Sequence, residues 1–389
     1  KIIHDVNCRP MSRKKRGRWL LVFFACLIGF GCSNGVFAAA SPVIFFTDLE
    51  SGPNSGGENG NGVYVTLYGN NFGATQGSST VTLNGASCLR IVSWGVSHLG
   101  YQKIIVQLQP SCTTGNLVVT VDGQASNTQP FTVRSGRILF ITPNGTGTGT
   151  ISSPASPTIV YNSSQVGDTY YLRAGNYTGD YGDVIWGNSN FTFGSGQRGT
   201  ASNPIGLIGY PEESVTLTER GRSPIRMDDG SGSGAYITVA NMTLLGGMAC
   251  IEDGGIWTTP GSGALGIRIV GVICSANYTG NTMTGVVSIS SNGWRLFGNE
   301  IKDTGTTPPI NNNHAIYIQV GSSDVEVGWN SLHDLRMGHT IQVHTDGNCF
   351  TYSNIRIHDN VLSAASVDDS RGINVGNACG GSYGSIYNN

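Results

Sequence analysis

Residues 325–332 read VEVGWNSL, and two near-copies flank them, WRLFGNEI at 294–301 and IRIHDNVL at 355–362. In each, apolar side chains hold the first, third and eighth positions and Asn the sixth. Alternation of period two describes a short strand with one buried face. Looser copies start at Ile205, Ile237, Ile267 and Gly384, with sixth positions at Tyr210, Met242, Val272 and Asn389. Successive sixth positions lie 32, 30, 27, 31, 30 and 29 residues apart. A near-constant period with one short strand per unit marks a solenoid, in which every coil buries its alternate apolar residues against its neighbours. Asn299, Asn330, Asn360 and Asn389 are then expected to stack as a ladder, each amide bonding the next. Arg295, Glu326 and Arg356 should form a column of alternating charge, and Asp303 and Asp334 should repeat in a turn. The pattern stops at Asn389 with no capping repeat in view, so the sequence reads as an incomplete solenoid, truncated at its C-terminus.

Composition agrees. The chain has 57 glycines in 389 residues and only 12% charged side chains, roughly double and half of ordinary usage. Such a chain, rich in short β-branched runs between Gly/Asn turns, is all-β. Residues 1–40 stand apart. Lys1–Pro10 precede Met11 and read as upstream sequence. The basic cluster Arg13, Lys14, Lys15, Arg16 and Arg18 is followed by WLLVFFACLIGF and then Ala38-Ala39-Ala40, the pattern of a secretory signal peptide. Cys32 offers an alternative lipoprotein anchor. No later run is long and apolar enough to be a transmembrane segment.

Without that leader the chain carries 15 basic and 23 acidic side chains, a net charge of −8, and its only lysines are Lys103 and Lys302. An acidic, lysine-poor surface argues against nucleic acid as a partner. Six cysteines remain, in the close pairs Cys88/Cys112, Cys250/Cys274 and Cys349/Cys379. An even count in an exported chain reads as a disulfide framework, and no CxxC spacing points to zinc.

Residues 41–134 have a different texture from the repeating segment. SPVIFFTDLESGPNSGG, VTLYGNNFG (65–73) and LVVTVDGQASN are alternating strands about ten residues apart, a small β-sandwich. These segments resemble the IPT/TIG immunoglobulin-like domain, a spacer or binding module that brings no catalytic residues with it. After the short linker Arg134-Ser135-Gly136, the segments GDTYYLRAGNYTG (167–179) and NPIGLIGYPEE (203–213) resemble the entry region of exported bacterial right-handed parallel β-helix proteins, pectate-lyase-like polysaccharide lyases and glycoside hydrolases among them. The expected organisation is a leader (1–40), a sandwich (41–134) and an incomplete right-handed parallel β-helix (135–389).

The repeat also aligns a second strand across coils: GVVSIS (285), HAIYIQV (314), HTIQVHT (339) and RGINVGN (371). Gly285, His314, His339 and Arg371 share one position. Ser288, Tyr317, Gln342 and Asn374 share a second, and Ser290, Gln319, His344 and Gly376 a third. Two readings compete. His314 and His339 are turn residues bonding the next coil, or the polar column is an open face for an extended sugar chain, each coil meeting another part of it. The resemblance implies a lyase, which abstracts a proton beside a uronate carboxylate and needs a base, a cation and a proton donor. Candidate bases are His339, His344, Arg371 and, less well placed, Lys302; His314, Tyr317, Gln319, Gln342 and Asn374 are candidate substrate contacts. Asp346, Asp368 and Asp369 are candidate Ca²⁺ ligands, or, in a glycoside hydrolase, the paired carboxylates. Trp257, in the insertion IEDGGIWTTPGSGA, is placed to stack on a sugar or to fill the core. The expected function is an exported enzyme degrading an acidic polysaccharide by β-elimination. The alternatives are a hydrolase on the same fold and a non-catalytic polysaccharide-binding or adhesin protein.

Overall fold

The apolar-x-apolar runs become the rungs of three parallel sheets in the computed structural model of the chain. The structure describes residues 40–181, 189–219, 221–228, 233–254, 262–276, 285–310, 314–344, 349–363, 372–376 and 378–389, and Ala40–Asn389 forms one compact unit. The leader with Cys32, and the candidate residues Trp257, Asp346, Asp368, Asp369 and Arg371, lie outside the described residues.

The first segment is a two-sheet sandwich. Antiparallel strands Val43–Thr47, Tyr64–Asn70, Tyr101–Leu108 and Leu89–His98 form one sheet in that spatial order. Ser51–Gly52, Gln129–Val133, Gly115–Val121 and Thr80–Leu83 form the other, with Gln124–Ala125 paired to Gly115–Val121. Val65, Leu67, Val106, Leu117, Val119 and Phe131 fill the space between them, all at most 1% exposed.

From Ile138 the chain winds as a solenoid. One parallel sheet has nine strands, from Ile138–Ile141 to Gly384–Tyr387, and two have seven, ending at Val361–Leu362 and Ile373–Val375. Leu207, Val239, Ile269, Leu296, Val327 and Ile357 lie in register up the inner wall of the first sheet, and none is more than 2% exposed. From the coil of Ile237–Ala240 onward, six successive coils turn this corner through a residue in the left-handed region: Asn241, Gly271, Gly298, Trp329, Asp359 and Asn388, with φ between 52° and 64°. Gly, Asn and Asp tolerate this conformation, whereas a bulky side chain is strained there. Trp329 is the exception, and aromatic packing holds it: its ring lies 5.3 Å from Phe46 and 4.7 Å from His358. At Gly271 and Gly298 a second constraint applies, because a Cβ would come within 2.6 Å of Tyr68 and Phe46 of the sandwich.

That proximity is general. Ile208, Ala240, Val270 and Phe297 point out of the solenoid wall, yet they are buried in one core with Phe46, Tyr68 and Tyr101. Polar contacts fix the seam. Arg268 donates to the Thr47 and Asp48 carbonyls at 2.5 and 3.1 Å and pairs with Glu50 at 2.8 Å. Tyr68 donates to Asn241 Oδ1 at 2.6 Å, and the Asn241 amide donates to Asp48 at 2.7 Å.

The asparagine ladder forms as expected. The side-chain Oδ1 of Asn330 accepts both the backbone N–H and the side-chain amide of Asn299, and Asn360 and Asn389 repeat this on the next two coils. Glu326 lies between Arg295 (3.3 Å) and Arg356 (2.5 Å). Burial works against its charge, but hydrogen bonds from His358 and Arg356 and the charges of both arginines hold its carboxyl down at about 2. Asp303 and Asp334 both occupy left-handed turn positions. All three cysteine pairs are bonded, Cys88–Cys112, Cys250–Cys274 and Cys349–Cys379.

Candidate functional site

The third sheet carries the polar column. Its inner positions, Ile225, Ile251, Val287, Ile316, Ile341 and Ile373, are aligned apolar residues. Period-two geometry therefore turns the next residue of each strand outward. Those residues are Arg226, Glu252, Ser288, Tyr317, Gln342 and Asn374, with Thr192 in the same register beside Arg226. The last four match the alignment read from the sequence. Arg226 and Glu252 extend the column by two coils that sequence reasoning missed, because the spacing in this sheet runs from 25 residues (Tyr317 to Gln342) to 36 (Glu252 to Ser288). The only signal for them was the pair of short runs IRM and IED. Glu252 also pairs with Arg222 at 2.8 Å.

His314 and His339 stack with ring centroids 5.4 Å apart and planes within 12°. The His339 backbone N–H donates to His314 Nδ1 at 3.3 Å. Burial, with the charges of His339 and His344 adding to it, pushes His314 down to about 4, so it is a neutral acceptor at neutral pH. Gln319 donates to Ser288 and Ser290 at 2.9 and 3.3 Å, and Asn374 donates to Gln342 at 2.7 Å. The ring of His344 lies over Gly376 on the next rung, where a Cβ would come within 2.8 Å of it.

The expectation of an open face needs correction. His314, Tyr317, Gln319 and Gln342 are at most 6% exposed, whereas His339, His344 and Asn374 are half-buried. Alternation sends these side chains outward, but rungs about 4.8 Å apart let long polar side chains cover one another. Tyr317 packs edge-on against His314 at 5.1 Å and also closes over Gly285. Lys302 does not join the column: it pairs with Glu300 at 3.0 Å beside the second sheet. His333, the first histidine of HDLRMGHTIQVHTDG, is placed there too, between Glu300 and Asp334 at 3.0 and 2.6 Å. Among the described residues no cluster of three or more His, Cys, Asp or Glu side chains forms a metal site, and no helix is long and apolar enough to cross a membrane.

Residues 49–133 match the IPT/TIG domain family. The chain is similar to solved structures of pectate lyase Pel9A (11% identity, 65% of this chain and 74% of that one, TM-score 0.36) and of a rhamnogalacturonan lyase (14% identity, 64% and 56%, TM-score 0.33). The chain is similar also to a family 28 exopolygalacturonase from Yersinia enterocolitica (12% identity, 82% and 70%, TM-score 0.33). No curated protein matches the chain. The chain thus carries an IPT/TIG domain followed by a parallel β-solenoid of about seven turns.

Proposed function

We propose that the protein is an exported polysaccharide-degrading enzyme that cleaves an acidic glycan by β-elimination along the third sheet. One observation carries this reading: along the in-register column of the third sheet, Ser288 and Asn374, with His339 and His344 at the margins, keep part of their surface open to solvent. A rigid row of hydrogen-bonding groups repeating at rung spacing suits an extended chain of sugars. In the proposed reaction, His344 or His339 removes the proton on the carbon beside a uronate carboxylate. The electron pair forms a carbon–carbon double bond as the neighbouring glycosidic C–O bond breaks, and the departing oxygen takes up a proton. Arg371, which the repeat in the sequence aligns with His339, is the proposed cation for the carboxylate. Asp346, Asp368 and Asp369 are the proposed Ca²⁺ ligands.

The test is ultraviolet absorbance of the unsaturated product on alginate, pectin and glycosaminoglycans, with and without EDTA. His344→Ala and Arg371→Ala should each abolish product formation; unchanged turnover in both removes the assignment. A second reading, a non-catalytic glycan-binding solenoid, is favoured by the burial of His314, Tyr317, Gln319 and Gln342 in mutual contacts. Retention on a polysaccharide column without product from any glycan would select it.

A further inference from the structure

A cleft of about 240 Å³ opens at the seam between the sandwich and the solenoid, far in sequence from the histidine column. Tyr68, His98 and Lys103 line it from the sandwich, and Tyr210, Glu212 and Thr243 from the solenoid. Several of its polar groups already serve the structure. Asp48 accepts from the Leu49 and Thr66 backbone N–H groups and from Asn241, at 2.7, 2.8 and 2.7 Å. Glu213 is held by Arg173 and by the Ala174 N–H, and His98 Nε2 donates to the Gly298 carbonyl at 2.8 Å.

Two groups have no such duty. The half-buried Lys103 ammonium makes no ion pair or hydrogen bond among the described residues, and burial lowers its pKa although Asp48 and Glu212 favour the charge. Glu212 sits across the cleft at a left-handed turn position (φ 61°), likewise without a partner among the described residues. The lining therefore offers a strong donor, a strong acceptor and tyrosine rings. Module boundaries are favoured places for ligand clefts, and this one falls just below the usual range of roughly 300–1,000 Å³, room for a single ring. A ligand that fits must accept from an ammonium and donate to a carboxylate. Vicinal hydroxyls do both, whereas a carboxylate-bearing sugar would meet Glu212 and Asp48.

We infer that this cleft is a binding site for one neutral sugar unit, gripped through its hydroxyls by Lys103 and Glu212. The inference does not rest on the elimination chemistry. The test is saturation-transfer NMR of the full chain with galactose and mannose, and with glucuronate as the charged comparator. Lys103→Met and Glu212→Gln each remove a charged hydrogen bond and should weaken binding by about tenfold or more. Thr243→Trp should block the cleft and abolish the signal, with the thermal midpoint confirming that each variant is folded; Glu212→Gln, on an exposed loop, keeps the test valid if the others unfold. Absence of signal from either neutral sugar, tighter binding of glucuronate, or unchanged binding in folded variants overturns the inference.

Discussion

Truncating Asn330 to alanine tests the ladder on which the coil stacking relies. Asn330 is 1% exposed, so water cannot replace its bonds. Its side-chain Oδ1 accepts from the Asn299 backbone N–H and side-chain amide, both at 2.9 Å. Its amide donates to the Leu296 carbonyl at 3.0 Å and to Asn360 at 2.8 Å. After truncation the Asn299 amide keeps the Ile269 carbonyl, and the Asn360 oxygen keeps the Asn330 backbone N–H. The Asn299 backbone N–H has nothing left. An orphaned buried donor costs about 1–3 kcal/mol and each other lost bond about 0.5–1.5 kcal/mol, which puts Asn330→Ala near 3 kcal/mol. Asn203, in a turn outside the ladder, donates its amide to the neighbouring Ser202 hydroxyl at 3.0 Å, and Asn203→Ala should cost less than about 1 kcal/mol. Urea unfolding followed by tryptophan fluorescence reads both, since Trp294 and Trp329 sit in the affected coils. Hydrogen exchange at the Asn299 amide should speed up about a hundredfold. Equal losses in the two variants, or an unchanged Asn299 amide, would show that the ladder is decoration on a stack held by apolar packing alone.

Other outcomes rest on the same geometry. His314, held at about 4 against an ordinary 6.5, stabilises the fold above pH 6.5 and loses that contribution, about 3 kcal/mol, as pH falls toward 4. His358 has the opposite sign: burial lowers its pKa, but Glu326 and Asp359 outweigh it and raise the pKa, so its contribution is complete below pH 6.5 and fades as pH climbs through the raised value. Melting temperature against pH should therefore flatten on the acid side in His314→Gln and on the alkaline side in His358→Gln; identical profiles would refute the assignment. Replacing Cys349 and Cys379 by serine opens a loop of 30 residues and should cost about 3–4 kcal/mol, read as a lower melting temperature and faster proteolysis between them. A chain starting at Ser135 exposes Ile208, Val270 and Phe297 and should bind ANS strongly; a soluble, ANS-silent product would contradict the shared core.

The solenoid could be read from sequence because stacking in register makes every coil repeat the same local demands. Alternating apolar residues, a ladder Asn and the Arg295–Glu326–Arg356 column all recur at one interval. The docking of the sandwich has no period, since Arg268 reaches Asp48 and Asn241 reaches Tyr68 across a long sequence separation. A trace of it was present: the outward position after Leu207, Val239, Ile269 and Leu296 is apolar in four consecutive coils (Ile208, Ala240, Val270, Phe297) and then changes to Gly328 and His358. Strands covered on both faces lose their alternation in this way. At the site, parity told which side chains leave the coil wall. It could not tell that Tyr317 would fold over Gly285 and His314, because that depends on rotamers and not on spacing.

The seam has a mechanical consequence. A row of stacked rungs ordinarily frays from its ends, each rung released singly because it touches only its neighbours. Here the sandwich lies as a splint along six successive rungs, from Tyr171 to Trp329, so those rungs must let go as a block. Under heat or tension, coils outside that span should give way before the braced block, which still holds its shape.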